Sequence, residues 1–167
     1  ISVRFRLLKN SGPAILYRDL REYFEGRTPS LTETRDAVLA IRRKKSMVID
    51  ENDQNSKSAG SFFKNPIVDR LTFERVAAGS DNVPFFEVDA ERVKIPAAWL
   101  IENAGFEKGK ILGNAGISTN HTLAIINRGN ASAAEIISLK NAVQAAVRAR
   151  FGVTLNPEPV FVGFRDL

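Results

Sequence analysis

The chain has 167 residues, 44% of them hydrophobic and 26% charged, and no cysteine, which excludes a disulfide framework and a thiolate metal site. No run approaches the ~18 apolar residues of a membrane-spanning helix, and the first residues show no signal-peptide pattern, so we expect a cytoplasmic protein. The net charge of +5 suits an acidic partner such as a nucleic acid or a diphosphate, and equally a mildly basic surface without a partner.

A strand, a helix and a loop are predicted in the first third of the chain. Residues 1–8 alternate apolar and other side chains, which predicts a strand. Because that strand begins at once and the only methionine is Met47, we interpret the chain as part of a larger protein. Residues 30–33, Ser-Leu-Thr-Glu, form a capping box that predicts a helix ending in the basic run Arg42–Lys45. The polar residues 49–59 predict a loop and a boundary between structural units.

Helices and strands alternate in the rest of the chain. The predicted elements are a helix around 68–78, a helix from Pro96 to Gly105, a strand at 121–127, a helix opened by a second capping box at 132–135 and ended by Gly152, and strands at 153–155 and 160–164. This alternation predicts an α+β fold in which a mixed sheet packs against helices.

Residues 58–66, Ser-Ala-Gly-Ser-Phe-Phe-Lys-Asn-Pro, carry the most chemical information. Gly60 permits a backbone bend close to a ligand, and the two phenylalanines anchor the segment in a core. Ser61 and Asn65 offer a hydroxyl and an amide for polar recognition. Taken alone, such a pattern is more often the start of an ordinary strand than a site.

Four further segments accompany this motif in a fixed order. They are the basic run at 42–45, Lys-Ile-Pro-Ala-Ala-Trp-Leu-Ile-Glu-Asn-Ala-Gly-Phe at 94–106, Ile-Ser-Thr-Asn-His at 117–121, and Phe-Gly-Val-Thr-Leu-Asn-Pro-Glu at 151–158. Together with the motif they resemble the UDP-N-acetylenolpyruvoylglucosamine reductase family over essentially the whole chain. The matching part of the family is its carboxyl-terminal, substrate-binding part.

The resemblance implies an α+β fold like that of the family's carboxyl-terminal domain, and a reaction in peptidoglycan synthesis. In that reaction NADPH reduces a bound FAD, and the reduced flavin passes a hydride to the enolpyruvyl double bond of a UDP-sugar. It also implies three regions. They are a remnant of the FAD-binding region at 1–48, the substrate-binding domain at 49–156, and a strand at 157–167 that returns toward the missing FAD-binding region.

The resemblance assigns roles to individual residues. Ser61 matches the family's proton donor, and Glu158 matches a glutamate that assists as a second acid, although Pro159 stands where the family usually has a branched apolar residue. The resemblance also implies five substrate contacts. Lys45 lies near a carboxylate or phosphate of the substrate, Asn65 contacts the same ligand, and Lys108 contacts its diphosphate. His121 occupies a polar ligand-contacting position, and Phe86 stands where many members of the family have a tyrosine that covers the diphosphate.

One further similarity is set aside. Residues 17–19, Tyr-Arg-Asp, look like the motif of the family's catalytic arginine, but their order in the chain fits a second, Tyr-x-Asp-Leu motif. We therefore expect Arg18 to be structural and the catalytic arginine to lie in the missing part. The sequence has no glycine-rich phosphate loop, so the FAD-binding residues are also expected in the missing part. The chain alone is therefore expected to be inactive. No metal site is expected.

Two other functions remain open from the sequence. The Arg42–Lys45 cluster and the net charge are compatible with a basic nucleic-acid-binding module, although no recognition helix or aromatic platform accompanies them. A UDP-sugar-binding domain that has lost the reaction is the other alternative. The retention of both Ser61 and Glu158 argues against it, so a UDP-sugar and the missing FAD-binding region are the expected partners, rather than nucleic acid or a membrane.

Overall fold

A computed structural model describes residues 2–164. The chain forms two compact units, Ile1–Val48 and Ile49–Leu167, and each is described separately.

The first unit is built on two helices, α1 (Arg18–Phe24) and α2 (Leu31–Lys44). The predicted capping box starts α2: the Ser30 hydroxyl accepts from the Glu33 amide, and the Glu33 carboxylate accepts from the Ser30 amide at 2.8 Å. The two helices bury a small apolar cluster between them, made by Leu20, Phe24 and Ala37.

The strand predicted at residues 1–8 is absent from the described part, residues 2–8. The side chains of Val3, Phe5 and Leu7 are 74%, 80% and 84% exposed. A strand needs backbone hydrogen bonds to a neighbouring strand, and residues 2–8 make none within the described chain. The alternation is therefore real, but by itself it does not make a strand.

The second unit contains two antiparallel sheets. The strands are β1 (Ser58–Ser61), β2 (Ile67–Asp69), β3 (Phe86–Glu87), β4 (Arg92–Lys94), β5 (Ile111–Leu112), β6 (Ala115–Ile117) and β7 (Ala124–Asn127). One sheet has the order β1-β7-β6-β5, and the other has the order β2-β4-β3. The strand predicted at 121–127 begins only at Ala124, because a turn in which the Ala124 amide bonds to the His121 carbonyl precedes it.

Three helices cover these sheets: α3 (Arg70–Ala78), α4 (Ala97–Asn103) and α5 (Ala133–Phe151). The second predicted capping box opens α5, and Gly152 ends it with a left-handed φ of 67°. Leu139, Val143 and Val147, at helical spacing on α5, are buried in the main core. The predicted α+β class is confirmed.

The two predicted strands near the carboxyl end are wrong. Val153 and Leu155 are buried, but the Leu155 carbonyl accepts from the Gln144 side chain of α5 at 2.8 Å instead of from a neighbouring strand. Residues 160–164 form no strand either, and Val160 and Val162 are 86% and 84% exposed. The last three residues of the region predicted at 157–167 lie outside the described residues.

Helices long and apolar enough to cross a bilayer do not occur among residues 2–164.

Candidate functional site

Ser61 ends an edge strand at an irregular point of the sheet. In the pairing of β1 with β7, Ser58 lies opposite Ile126 and Ser61 opposite Ala124, so the register shifts between them. Gly60 lies in this shift with a φ of 80°, a conformation that side chains with a Cβ adopt at a cost. Ser61 is half-buried at the end of the strand, next to this bulge.

Two aromatic residues fix the segment that follows Ser61. Phe62 and Phe63 are buried, and their ring centroids lie 5.5 Å apart. The Phe62 amide donates to the Leu123 carbonyl at 2.7 Å. The sequence prediction that these phenylalanines anchor the motif in a core is confirmed.

Glu158 lies on a segment that pairs with this anchor. Phe63 and Pro157 form an isolated antiparallel bridge, and the Glu158 amide donates to the Phe62 carbonyl at 2.9 Å. The Lys64 amide donates to the Asn156 carbonyl, also at 2.9 Å. The structure thus brings the exposed Glu158 beside the residue that follows Ser61.

His121 lies next to the same anchor. Its Nδ1 accepts from the Leu123 amide at 3.1 Å, and the Leu123 carbonyl is the acceptor for Phe62. Because Nδ1 is an acceptor, the neutral ring carries its proton on Nε2.

Asn55, which the sequence analysis missed, secures the loop before His121. Its Oδ1 accepts from the Thr119 amide at 2.9 Å and from the Thr119 hydroxyl at 3.2 Å. The contact joins the 3₁₀ turn Gln54–Ser56 to a segment far along the chain, so no local pattern signals it.

Asn65 has a structural contact that the sequence did not reveal. Its Oδ1 accepts from the Ala97 amide at 2.8 Å and so caps α4, for which the preceding Pro96 supplies no side-chain cap. The Asn65 amide nitrogen is the group through which the predicted ligand contact would be made.

Phe86 and Lys108 occupy other parts of the second unit. Phe86 is exposed on β3, and the Lys94 Nζ lies 5.9 Å from its ring centroid. Lys108 is exposed and lines a hollow of about 490 Å³ with Glu102, Asn103 and Glu107. The two carboxylates lower the positive potential that Lys108 offers to a diphosphate. Neither residue takes part in the hydrogen bonds through which Phe62 and Leu123 link the Glu158 segment to His121.

Lys45 belongs to the first unit and is engaged there. Its Nζ donates to the Asp19 carboxylate at 2.5 Å, and this contact holds the pKa of Asp19 below its usual value. Arg42 donates to the Met47 carbonyl at 3.1 Å. Two of the four cations of the basic run thus have internal partners, which reduces the charge available to a nucleic acid.

Arg18, expected to be structural, lies on α1 with its side chain 88% exposed and forms an ion pair with Glu22 at 2.6 Å. Between residues 2 and 164, groups of three or more histidine, cysteine, aspartate or glutamate side chains suited to a metal ion are absent.

One amide in the first turn of each of four helices is bonded to a capping side chain. The capping residues are Ser30 for α2, Asp69 for α3, Asn65 for α4 and Ser132 for α5. The fifth described helix, α1, is only seven residues long.

The matching family model and the similar proteins found by comparison carry the same family name. The family described as UDP-N-acetylenolpyruvoylglucosamine reductase, C-terminal domain, matches residues 52–162. The reductase of that name from Thermobifida fusca is 48% identical over 146 residues, which cover 83% of this chain and 41% of that protein.

Two other relatives with the same name are similar over almost the whole chain. The protein of Saccharopolyspora erythraea is 44% identical over 97% of this chain and 48% of its own length. That of Bacteroides fragilis is 41% identical over 96% of this chain and 47% of its own length. The chain therefore spans less than half the length of these curated relatives.

Proposed function

Because the chain belongs to the UDP-N-acetylenolpyruvoylglucosamine reductase family, through its carboxyl-terminal domain, we propose that the second unit is the substrate-binding part of such an enzyme. The observation that carries the proposal is the hydrogen bond from the Glu158 amide to the Phe62 carbonyl. It places the two residues expected to handle a proton, Ser61 and Glu158, on neighbouring backbone segments.

The complete protein, on this proposal, reduces UDP-N-acetylglucosamine enolpyruvate to UDP-N-acetylmuramate in peptidoglycan synthesis, in the cytoplasm. It uses FAD as cofactor and NADPH as co-substrate. We assign the flavin to the part of the relatives that this chain does not span, as the family resemblance implies. Residues 1–48 are assigned to the edge of that flavin-binding region and 49–156 to the substrate domain.

This chain contributes the proton. Reduction of a carbon–carbon double bond adds a hydride to one carbon and a proton to the next, and the enolate between these events needs stabilisation. The Ser61 hydroxyl delivers the proton. Because a serine hydroxyl is a very weak acid, it can protonate only a strongly basic enolate, and it needs a hydrogen-bonded relay. The Glu158 carboxyl group assists as the second acid.

Other residues hold the substrate. Asn65 donates through its amide nitrogen, and His121 contacts the ligand next to the Ser61 segment. Lys108 neutralises phosphate or carboxylate groups of the ligand. The ligand role of Lys45, which pairs with Asp19 in the first unit, stays a prediction. Phe86 covers the diphosphate with an apolar ring.

Calorimetric titration of the chain with UDP-N-acetylglucosamine enolpyruvate tests this proposal. We expect saturable binding, about tenfold weaker in Lys108→Ala because a cation–phosphate contact is lost. The matched control is Lys57→Ala, which removes an exposed lysine of the same unit without an assigned ligand role. A chain that is folded, as judged by Trp99 fluorescence, and does not bind would contradict an autonomous substrate domain.

A further inference from the structure

Lys140 is a cation buried on the core side of a helix. It lies on α5 beside the fully buried Leu139, and only 7% of its surface is exposed. Lysine is rarely buried to this extent unless its charge has a partner. Its Nζ lies 5.4 Å from the ring centroid of Phe161, so the face of that ring is a partner.

Phe161 connects this cation to the Ser61 motif. Its ring centroid lies 6.2 Å from that of Phe62, with the two ring planes inclined at 52°. Phe62 in turn follows Ser61 and accepts the hydrogen bond of the Glu158 amide. A continuous line of contacts therefore runs from Lys140 through Phe161 to Phe62.

The segment that carries Glu158 makes few other contacts within residues 2–164. Before Glu158, the chain is held by the Pro157 bridge and by the hydrogen bond from the Lys64 amide to Asn156. Beyond Glu158, the Val160 and Val162 side chains point into solvent. Among the described residues beyond Glu158, Phe161 is the half-buried aromatic residue that packs against the main core, so it holds the segment on its carboxyl-terminal side.

We propose that Lys140 is a positioning residue for Glu158. By holding the Phe161 ring against Phe62, it keeps the Glu158 segment paired with the Ser61 segment. The role of this pairing in proton transfer rests on the proposed function, whereas the contact itself is a property of the fold. Lys140 acts through Phe161 and does not touch the substrate.

Amide hydrogen exchange on this chain tests the proposal with two variants. Lys140→Met keeps a long unbranched side chain but removes the charge, and Lys140→Arg keeps a charge that stacks on aromatic rings. In Lys140→Met we expect the Glu158 and Lys64 amides to exchange about fivefold faster. In Lys140→Arg their exchange should return to the wild-type rate.

Three comparisons separate local positioning from general packing. The Phe62 amide, bonded to Leu123, should keep its exchange rate in Lys140→Met. Unfolding followed by Trp99 fluorescence should be unchanged or shifted to higher denaturant, because an apolar residue replaces a buried charge. Lys94→Met, which removes the cation near Phe86, should leave the Glu158 and Lys64 amides unaffected.

A double-variant experiment tests whether the ring transmits the effect. Phe161→Leu should accelerate the same two amides, and the combination with Lys140→Met should add little, since both changes break one line of contacts. Unchanged exchange of the Glu158 amide in Lys140→Met would overturn the proposal. Faster exchange of all amides with a lower unfolding midpoint would also overturn it, because Lys140 would then be a core-packing residue.

The exchange measurement is independent of the proposed function. If the chain fails to bind UDP-N-acetylglucosamine enolpyruvate, the substrate assignment falls while the exchange result still decides the role of Lys140. If the chain binds substrate and the exchange is unaffected by Lys140→Met, only the positioning role falls.

Discussion

The backbone amide of Glu158 donates to the carbonyl oxygen of Phe62 across 2.9 Å. This bond joins two segments that are far apart in the sequence and that carry the two predicted acids of the reaction. The buried Phe62 side chain makes one side of the junction rigid, while the other side depends on the Phe161 ring. The geometry of the proposed proton-transfer site is therefore set by packing as much as by the residues that react.

Gly60→Ala should destabilise the second unit by about 1–2 kcal/mol, because the φ of 80° at this position strains any residue with a Cβ. No atom of the described chain lies within 4 Å of the Cβ that would be added, so strain rather than a clash is the cause. Gly79→Ala is the matched control, since Gly79 has equally open space and a φ of −104°. Equal urea midpoints for the two variants, followed by Trp99 fluorescence, would contradict this account.

Asn65→Ala should cost about 1 kcal/mol of stability, because the Ala97 amide at the start of α4 loses its acceptor. Asn65→Asp should retain most of the stability, since a carboxylate accepts the same bond and is favoured at a helix amino terminus. Urea unfolding of the three proteins measures the difference. A loss in Asn65→Asp as large as that in Asn65→Ala would show that the cap does not stabilise the helix.

Glu33 predicts a specific pH dependence for the first unit. The Arg27 guanidinium and the Ser30 amide lower the pKa of Glu33 from 4.5 to about 2. Because the folded-state pKa is depressed, Glu33 stabilises the fold above pH 4.5, and its contribution is lost as the pH falls through about 2. The stability difference between wild type and Glu33→Gln should therefore be largest near neutral pH and shrink toward pH 2.

The Glu33 prediction is measured by following the unfolding of the first unit through tyrosine fluorescence, because both tyrosines of the chain, Tyr17 and Tyr23, lie in that unit. Arg27→Gln should move the loss of the Glu33 contribution toward higher pH, because it removes the largest cause of the low pKa. A wild-type-to-Glu33→Gln difference that stays constant from neutral pH to pH 2 would contradict the assignment.

The chain alone should not oxidise NADPH when mixed with FAD and UDP-N-acetylglucosamine enolpyruvate. The chain spans less than half of its reductase relatives, and on the proposed function the flavin-binding residues lie in the part that it does not span. The measurement is the absorbance of NADPH over time, with the full-length Thermobifida fusca reductase as the positive control. Substrate-dependent oxidation by the chain alone would place the flavin site within these residues.

Local signals in the sequence predicted four of the five described α-helices, whereas α1 was missed. The capping boxes at Ser30 and Ser132 start α2 and α5 where expected, because the donor and the acceptor lie within one turn. The strands predicted at 1–8, 153–155 and 160–164 are wrong, because a strand is not determined by residues within one turn. A strand depends on a partner elsewhere in the chain, and alternation alone does not supply one.

The site was predictable as a set of residues but not as an arrangement. The motif around Ser61 and the later Glu158 were recognised by resemblance, whereas their backbone pairing is a long-range contact. The cap that Asn65 provides and the burial of Lys140 also depend on distant residues, so no pattern of neighbouring residues indicates them.

The central claim is that substrate binds where the Ser61 and Glu158 segments meet. Titration of the isotope-labelled chain with UDP-N-acetylglucosamine enolpyruvate, followed by amide NMR, tests it directly. The account predicts that the amide signals of Ser61, Phe62 and Glu158 shift together and saturate at one dissociation constant. Shifts confined to other surfaces, such as the carboxyl end of α5 around Arg148, or no shifts in a folded chain, would contradict it.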